Sequence, residues 1–204
     1  SGKSTILRMI AGLEPITGGD LIIAGERMND LPPKARHLSM VFQNYALYPN
    51  MTVSENITFG LKARKVASAT QLQRLSDALA LVGLTDYAYR YPRELSGGQR
   101  QRVALARSIV SGAEIILMDE PLSNLDAQLR ESMRYEIKAL QRKLGITVVY
   151  VTHDQTEAMT MGDRVMILND GVVQQIGTPM QLYELPANTF VAKFFGTPQM
   201  NVLT

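Results

Sequence analysis

Short runs of β-branched and apolar residues alternate along this chain with longer stretches of helical periodicity. The predicted strands are "DLIIAGERM", "HLSMVFQ", "EIILMDE", "ITVVYVTH", "DRVMILNDG" and "VVQQIG". Strands separated by helices form βαβ units, because a parallel pair needs a long crossover connection that a helix usually supplies. The alternation therefore predicts an α/β fold whose parallel sheet is covered by helices on both faces.

The middle of the chain breaks this alternation. From about Tyr45 to Ser111 the sequence carries helical patterns and no convincing strand. Periodicity thus predicts a helical subdomain over 44–111, inserted into an α/β core formed by 1–43 and 112–204.

The segment "LRESMRYEIKALQRKL" has the pattern of an amphipathic helix. Its apolar residues recur at steps of three or four and share one face. That face comprises Leu129, Met133, Ile137, Leu140 and Leu144. A second row comprises Arg130, Arg134, Lys138 and Arg142. Glu131 and Glu136 alternate with this row, so we interpret it as a solvated surface rather than a nucleic-acid site.

Composition excludes several classes of protein. The chain has 204 residues, 46% of them hydrophobic, which is ample for a buried core. Its net charge of +2 comes from dispersed charges, so nothing indicates a nucleic-acid partner. The absence of cysteine excludes disulfide and thiolate chemistry and fits a reducing compartment. No apolar run reaches the roughly 18 residues that a membrane span needs, so we expect any membrane association to go through a partner.

The first residues contain half of a phosphate-binding motif. A P-loop reads G-x-x-x-x-G-K-[ST], and its backbone amides surround phosphates at the start of a helix. Only its second half is present here, as Gly2, Lys3, Ser4 and Thr5. Taken alone, the match is either a chance occurrence or the remainder of a longer loop.

The strand "IILMDE" ends in two carboxylates, Asp119 and Glu120. Open α/β sheets place ligand chemistry at the carboxyl ends of their strands. In P-loop enzymes the first acid supports Mg²⁺, and the second can deprotonate the attacking water. The alternative is an ordinary polar end to a buried strand.

Gln43 and His153 each stand at the end of a predicted strand. An amide oxygen at Gln43 can ligate Mg²⁺ and sense a γ-phosphate, and a histidine at 153 can hold that phosphate and the attacking water. Either residue can instead be a structural polar group at the end of its strand.

The string "ELSGGQRQRVALARSIV" is the most specific signal in the chain. Ser96 and the amides of Gly97 and Gly98 open a helix, where the positive end of the dipole favours phosphate. A serine N-cap after a glycine-rich turn is the simpler interpretation, but it explains only part of the string.

Six motifs in one order resemble the ATPase subunits of ABC transporters over nearly the whole chain. They are the Walker A remainder "SGKST", the Q-loop "VFQ", the signature "LSGGQ", the Walker B "IILMDE", the D-loop "SNLD" and the switch "VTHD". The resemblance implies a P-loop NTPase (RecA-like) core with an inserted helical subdomain. It also implies ATP and Mg²⁺ as cofactors and ATP hydrolysis as the activity.

Three longer segments resemble the importers of maltose, other oligosaccharides and glycerol 3-phosphate: "VFQNYALYPNMTVSENITFGLK", "HDQTEAMTMGDRVMILNDG" and "QIGTPMQLYELPANTFVAKFFGTPQMN". In that family a β-rich accessory domain follows "GTPQMN", and a strand and an adenine-stacking aromatic residue precede the P-loop remainder. The resemblance therefore implies a chain that lacks segments at both ends, with one strand fewer in its central sheet.

The family's roles transfer onto matching positions of this chain. Gly2, Lys3, Ser4 and Thr5 bind the ATP phosphates, together with Gln43 and His153. Mg²⁺ is held by Ser4, Gln43 and Asp119. Glu120 is the general base, assisted by His153 and Gln43. In this family the signature residues Leu95, Ser96, Gly97, Gly98 and Gln99 complete the site of a partner subunit, and Asp126 lies near that junction.

The resemblance also implies partners and a location. They are a second ATPase subunit, identical or paired, and transmembrane permease subunits, with no nucleic acid, at the cytoplasmic face of the inner membrane. The segment "NYALYPNMTV" would contribute Tyr45, Leu47, Tyr48 and Met51 to a groove for a permease helix, unless these side chains pack internally. Two alternatives stay open: an ABC-type ATPase of DNA repair or chromosome organisation, and an inactive nucleotide-binding remnant. The helical insertion is short and lacks sustained heptad repeats, which argues against an ATPase of DNA repair or chromosome organisation.

Overall fold

The computed structural model describes residues 2–195, which form seven strands and eight α-helices. The strands are Ile22–Ile23 (β1), Glu26–Arg27 (β2), Leu38–Val41 (β3), Ile115–Asp119 (β4), Thr147–Val151 (β5), Val165–Asn169 (β6) and Val172–Gly177 (β7). The helices are Lys3–Ala11 (α1), Val53–Ala63 (α2), Ser68–Leu81 (α3), Gly97–Val110 (α4), Ala127–Leu144 (α5), Gln155–Met161 (α6), Pro179–Glu184 (α7) and Thr189–Phe195 (α8). Ser1 and the tail "GTPQMN" lie outside the described residues.

Three parallel strands form the central sheet, in the order β3–β4–β5. Side chains alternate between the two faces of a strand, so one strand can serve two cores. In β4, Leu117 packs on one face with Leu7 of α1. Ile116 and Met118 pack on the other face, in the same core as Leu105 of α4. The first helix and the signature helix therefore cover opposite faces of the sheet, as the α/β prediction requires.

The predicted helical region is confirmed: within 45–111 the structure forms α2, α3 and α4 and no strand. Its helices share a buried core that contains Val53, Ile57, Leu61, Leu79, Leu84 and Val103. Thr52 and Glu55 start α2 as a reciprocal capping box, with each side chain bonded to the other residue's backbone. Ala104 and Leu105 of α4 pack instead against the central sheet, so α4 joins the helical region to the sheet.

The prediction of one strand across "DLIIAGERM" is wrong. The segment folds as an antiparallel hairpin in which Ile23 pairs with Glu26. Ala24 and Gly25 form its turn, with φ of 50° and 82°. Two consecutive positive φ values are typical of a type I′ turn, which usually carries Asn-Gly or Asp-Gly. Because alanine occupies the first position of this turn, its residue types signal the turn only weakly.

Helix α5 follows the predicted amphipathic pattern, with Met133 and Ile137 fully buried. Leu144, near the end of the helix, is exposed, so the apolar face is not buried along its whole length.

The interpretation of the basic row as solvated is also wrong in part. Lys138 donates to the Met161 carbonyl and pairs with Asp163 at 2.8 Å. Hydrogen bonding by Lys138 lowers the pKa of the Asp163 carboxyl. Arg130 lies 3.6 Å from a carboxylate oxygen of Asp154. Two members of the row thus fasten α5 to the segments on either side of α6.

A cavity of about 560 Å³ separates β5 from β6. Its lining is mainly apolar and comes from α1, α5, β5, α6 and β6. In the described part of the chain, β5 pairs only with β4, while β6 and β7 form a separate antiparallel sheet. No helix within 2–195 is both long enough and apolar enough to cross a bilayer.

Arg36 is buried and fixes the end of α1. Its guanidinium donates to four backbone carbonyls: Leu31 at 2.8 Å, Met9 at 2.7 Å, Ile10 at 3.0 Å and Asn29 at 3.4 Å. Gly12 leaves room for it, since a Cβ there would lie 2.7 Å from the guanidinium Nε. A cation at the end of a helix also complements the helix dipole.

We expect Arg36→Leu to lower the free energy of unfolding by about 3 kcal/mol, because it leaves buried carbonyls without donors. Urea denaturation measures this change. Lys34→Leu is the matched control, since Lys34 is exposed, and should change stability by less than about 0.5 kcal/mol. Equal effects of the two variants would contradict the role given to Arg36.

Candidate functional site

The first turn of α1 meets the carboxyl end of β4. The Ser4 hydroxyl donates to Oδ1 of Asp119 at 2.9 Å, across 115 residues of sequence. Gly2 precedes the helix with φ of 83°, a conformation that favours glycine. Lys3 and Ser4 are half-buried, whereas Gly2 and Thr5 are exposed. The first turn of this helix and the neighbouring carboxylate thus lie at the edge where parallel sheets hold their ligands.

Glu120 and His153 form the second pair. His153 Nδ1 lies 3.1 Å from Oε2 of Glu120, with 68% of the histidine side chain and 25% of the glutamate side chain exposed. Both residues follow adjacent parallel strands, since Glu120 continues β4 and His153 follows β5. The pair is open to solvent and next to Asp119, so a water molecule and a phosphate can reach it.

The backbone of Glu120 is strained. Its φ is 44°, in the left-handed region, where a residue other than glycine costs about 1–2 kcal/mol. Neighbouring groups hold it there: its amide donates to the Val151 carbonyl at 2.9 Å, and its carbonyl accepts from the Ser123 hydroxyl at 2.9 Å. Strain of this kind concentrates at functional sites. The left-handed conformation of Glu120 directs its carboxylate away from the strand axis and toward His153.

The segment that carries His153 is anchored on both sides. Asp154 caps α6 by accepting from the Thr156 and Glu157 amides. The Tyr150 hydroxyl donates to Oε2 of the buried Glu157 at 2.9 Å. Burial and the adjacent Glu157 carboxylate raise the pKa of Tyr150, so its hydroxyl keeps its proton. These contacts restrict the position of His153 relative to Glu120.

Gln43 lies just beyond β3 and is exposed. Its carbonyl accepts from the Asn124 side-chain amide at 2.9 Å. Among the described residues, its own side-chain amide joins neither the Ser4–Asp119 pair nor the Glu120–His153 pair by a hydrogen bond.

Sequence reasoning overlooked Asn124 and Ser123. Both belong to "PLSNLD", where only Asp126 was singled out. The signal was available, because a polar residue directly after a Walker B strand lies beside the site.

The signature residues start α4. Ser96 is the N-cap: its hydroxyl accepts from the Gln99 amide at 3.3 Å, and the Gln99 side chain accepts from the Ser96 amide at 2.9 Å. A Cβ at Gly97 would lie 3.0 Å from Leu125, and one at Gly98 would lie 3.0 Å from Leu129. Leu95 is buried in the helical core. Capping and close packing therefore account for much of this motif within one chain.

Ser96 and Lys3 belong to helices on opposite faces of the sheet. α1 packs on the Leu117 face, whereas Leu125 and Leu129, which contact the start of α4, belong to the core on the other face. Asp126, the D-loop aspartate, caps α5 by accepting from the Leu129 amide at 2.9 Å. The signature is thus adjacent to the D-loop rather than to the chain's own phosphate-binding helix.

The polar residues at this site suit a Mg²⁺ ion that takes only a few of its ligands from the protein. Mg²⁺ prefers oxygen ligands and usually binds through one or two protein groups plus water and substrate phosphates. Ser4 and Asp119 supply two such oxygens within hydrogen-bonding distance. No cluster of three or more histidine, aspartate or glutamate side chains suited to a metal occurs within 2–195. This chemistry suits a cation delivered with a nucleotide better than one held by the protein alone.

Only some of the residues predicted to line the surface groove are exposed. Tyr45 is buried and Leu47 packs into two cores, so for these two residues internal packing, the alternative left open by the sequence, is what the structure shows. Exposed apolar surface in this region comes from Tyr48, whose ring lies 4.5 Å from that of Phe59. Met51 and Phe59 line a shallow surface pocket with Glu55, Lys62 and Ala63.

Comparison with known proteins places these features in a family. The family model described as ABC transporter matches residues 1–123. The ABC transporter ATP-binding protein YcjV of Escherichia coli O157:H7 is 61% identical over 202 residues, which are 99% of this chain and 56% of the relative. The ATP-binding protein BAB2_0493 of Brucella abortus (strain 2308) is 58% identical, over 99% of this chain and 58% of the relative. The chain thus spans little more than half the length of these relatives.

A solved structure is also similar. It is the dimeric post-hydrolysis state of the ATP-binding cassette MJ0796 bound to ADP and Pi. It superposes with a TM-score of 0.73 at 34% identity, covering 87% of this chain and 81% of that one. With the family model matching more than half of the residues, the chain belongs to the ABC transporter ATP-binding family.

Proposed function

We propose that the protein is the ATP-hydrolysing subunit of an ABC importer. The observation that carries this proposal is the adjacency of the Ser4–Asp119 and Glu120–His153 pairs at the carboxyl edge of the parallel sheet. One pair offers oxygen ligands at a helix start, and the other offers a carboxylate beside an imidazole. Binding a phosphate and activating a water molecule need these two sets of groups side by side.

Each group has a defined role in this proposal. The amides around Gly2, with Lys3 and Thr5, bind the β- and γ-phosphates of ATP. Ser4, Gln43 and Asp119 hold Mg²⁺, which supplies neutralisation of charge on the phosphates when bound. Glu120 accepts a proton from the attacking water. His153 orients that water and the γ-phosphate, and its contact with Glu120 keeps the carboxylate in place.

Two copies share two nucleotides. α1 and α4 cover opposite faces of the sheet, so the Ser96–Gly98 helix start is available to a nucleotide held by another subunit. The solved relative is a dimer bound to ADP and Pi, which supports this arrangement. Residues 1–43 and 112–204 form the ATPase core, and 44–111 form the helical subdomain that presents the signature.

The partners are permease subunits at the cytoplasmic face of the inner membrane. Tyr48, Met51 and Phe59 supply apolar surface on the helical subdomain for a permease helix. The transported molecule is a sugar or glycerol 3-phosphate, a proposal that rests on the importer-like segments. The DNA-repair alternative is not favoured, since α2 and α3 are short helices rather than a long coiled coil.

Phosphate release from ATP tests the proposal. The assay compares residues 1–204 with a protein extended to the length of the curated relatives, each with Mg²⁺ and with EDTA. We expect Mg²⁺-dependent release by the extended protein and none by its Lys3→Ala variant, which removes a direct charge on phosphate. Metal-independent release, or release unchanged by Lys3→Ala, would contradict the assignment. Activity of 1–204 itself decides whether this region is an enzyme or a nucleotide-binding remnant.

A further inference from the structure

The loop 43–52 between β3 and α2 contains an unusual stretch of backbone. Tyr45 and Ala46 have φ of 63° and 46°, so two consecutive residues adopt the left-handed conformation. Neither is glycine or asparagine, the residues that adopt it most readily. Such a stretch persists only where the surroundings hold it in place.

Arg107 of α4 is the group that holds it. Its Nη1 donates to the Ala46 carbonyl and its Nη2 to the Tyr45 carbonyl, each at 2.7 Å. The planar guanidinium presents its donors at fixed angles, so it fixes the orientation of two successive carbonyls at once. Burial lowers the pKa of Arg107, a sign of the desolvation that these bonds offset.

Besides the packing of the Tyr45 and Leu47 side chains, two further hydrogen-bonded attachments hold the loop. Asn124 donates to the carbonyl of Gln43 at 2.9 Å. At the other end, the buried Asn56 donates to the Tyr48, Met51 and Thr52 carbonyls and accepts from the Tyr48 amide. Arg107 is therefore the attachment in the middle, and the one that belongs to the signature helix.

Helix α4 is continuous from Gly97 to Val110. Its start lies against Leu125 and Leu129, and Arg107 lies about 15 Å further along its axis at a rise of about 1.5 Å per residue. One continuous helix thus joins the signature residues to the group that binds the Tyr45 and Ala46 carbonyls. Gln43 lies two residues before that stretch, and Tyr48 two residues after it.

We propose that Arg107 is a positioning residue that fastens the 43–52 loop to the signature helix, so that Gln43, Tyr48 and the signature move as one body. The effect of this attachment on ATP turnover rests on the proposed ATPase function. Without Arg107 the Tyr45–Ala46 backbone relaxes to negative φ, and Gln43 loses its place relative to the nucleotide.

The first test needs no nucleotide. Hydrogen–deuterium exchange is measured on the purified protein for the segment 43–52 and for β4. Arg107→Met should speed exchange of 43–52 by about tenfold or more while leaving β4 protected, because only the local attachment is lost. Arg102→Met is the matched control, since Arg102 lies on the same helix and pairs with Glu136 of α5 at 2.7 Å. Unchanged exchange of 43–52 in Arg107→Met, or an equal change in Arg102→Met, would overturn the proposal.

The second test relieves the backbone strain at position 46 by substitution. In the extended protein, Arg107→Met should lower kcat about tenfold with the ATP KM within about threefold, because it misplaces Gln43 without touching the phosphate-binding helix. Adding Ala46→Gly, which favours positive φ without help, should recover at least half of that loss on a logarithmic scale. Ala46→Gly alone is the control. Failure of glycine to restore turnover in a folded Arg107→Met protein would overturn the positioning role.

If Arg107→Met does not fold, the same measurements are made on Arg107→Lys, whose ammonium is a compact point charge without the planar fork. Its exchange and turnover should fall between those of Arg107→Met and the wild type, and wild-type values would overturn the proposal. A wild-type protein without ATPase activity would refute the proposed function, whereas the exchange measurement would still decide the role of Arg107.

Discussion

Replacing Glu120 by glutamine is expected to leave ATP binding near the wild-type level and to reduce phosphate release by about 100-fold or more. Glutamine has nearly the same size and can occupy the same strained backbone, but its amide cannot accept a proton from water. Equilibrium nucleotide titration and steady-state phosphate release, both on the extended protein, measure the two quantities.

Glu131→Gln provides the matched control for this experiment. Glu131 is exposed on α5, so the same chemical change there should alter neither binding nor turnover. Turnover near the wild-type level in Glu120→Gln would remove Glu120 from the role of general base. A large loss of ATP binding in the same variant would mean that the carboxylate acts on the bound nucleotide rather than on water.

Mixed dimers should distinguish shared nucleotide sites from independent ones. In the first mixed dimer, one subunit carries Ser96→Arg and the other carries Lys3→Ala. Both lesions then fall on the same nucleotide, and the second site stays intact. In the second mixed dimer, one subunit carries both substitutions beside a wild-type partner, so each site contains one lesion. We expect the first arrangement to retain at least about tenfold more ATPase activity than the second, since an arginine at 96 fills the space of the partner's γ-phosphate.

Two distinguishable affinity tags allow each mixed dimer to be purified before phosphate release is measured. Each homodimer, with Ser96→Arg or Lys3→Ala in both subunits, is measured alongside as a background. Equal activities of the two mixed dimers would contradict the shared-site model. Nucleotide binding by monomeric Ser96→Arg should stay near the wild-type value, since Ser96 and Lys3 belong to helices on opposite faces of the sheet.

Sequence patterns predicted the parts of the molecule in which local signals and tertiary packing agree. β4 and β5 are β-branched or apolar runs followed by polar residues, and the structure places both where the patterns predicted. Because parallel strands end at one edge, the order of motifs was enough to bring Asp119 close to Ser4, and Glu120 close to His153. The roles of these residues remain predictions until the variants are measured.

Other features depend on backbone conformation, which residue type signals only weakly. Ala24 in a type I′ turn, Tyr45 and Ala46 in the 43–52 loop, and Glu120 after β4 all have positive φ without being glycine. The helical pattern of α4 gives no sign that Arg107 contacts a loop about 60 residues earlier in the sequence. Long-range bonds from a side chain to a distant backbone produce no periodic pattern in the sequence. Motifs and periodicity therefore could not predict them.

The left-handed backbone at Glu120 sets two selective pressures against each other. A glycine at that position would relieve the strain and raise the stability of the fold by up to about 1 kcal/mol, yet it would carry no carboxylate to the water. Comparing the urea unfolding of Glu120→Gly with that of the wild type measures this gain, and a less stable glycine variant would refute it. Under selection for stability alone, drift at position 120 would run toward glycine or asparagine. On the proposed role of Glu120 as general base, glutamate is retained there only while turnover contributes to fitness, and its replacement in a descendant chain is then expected to accompany loss of hydrolysis.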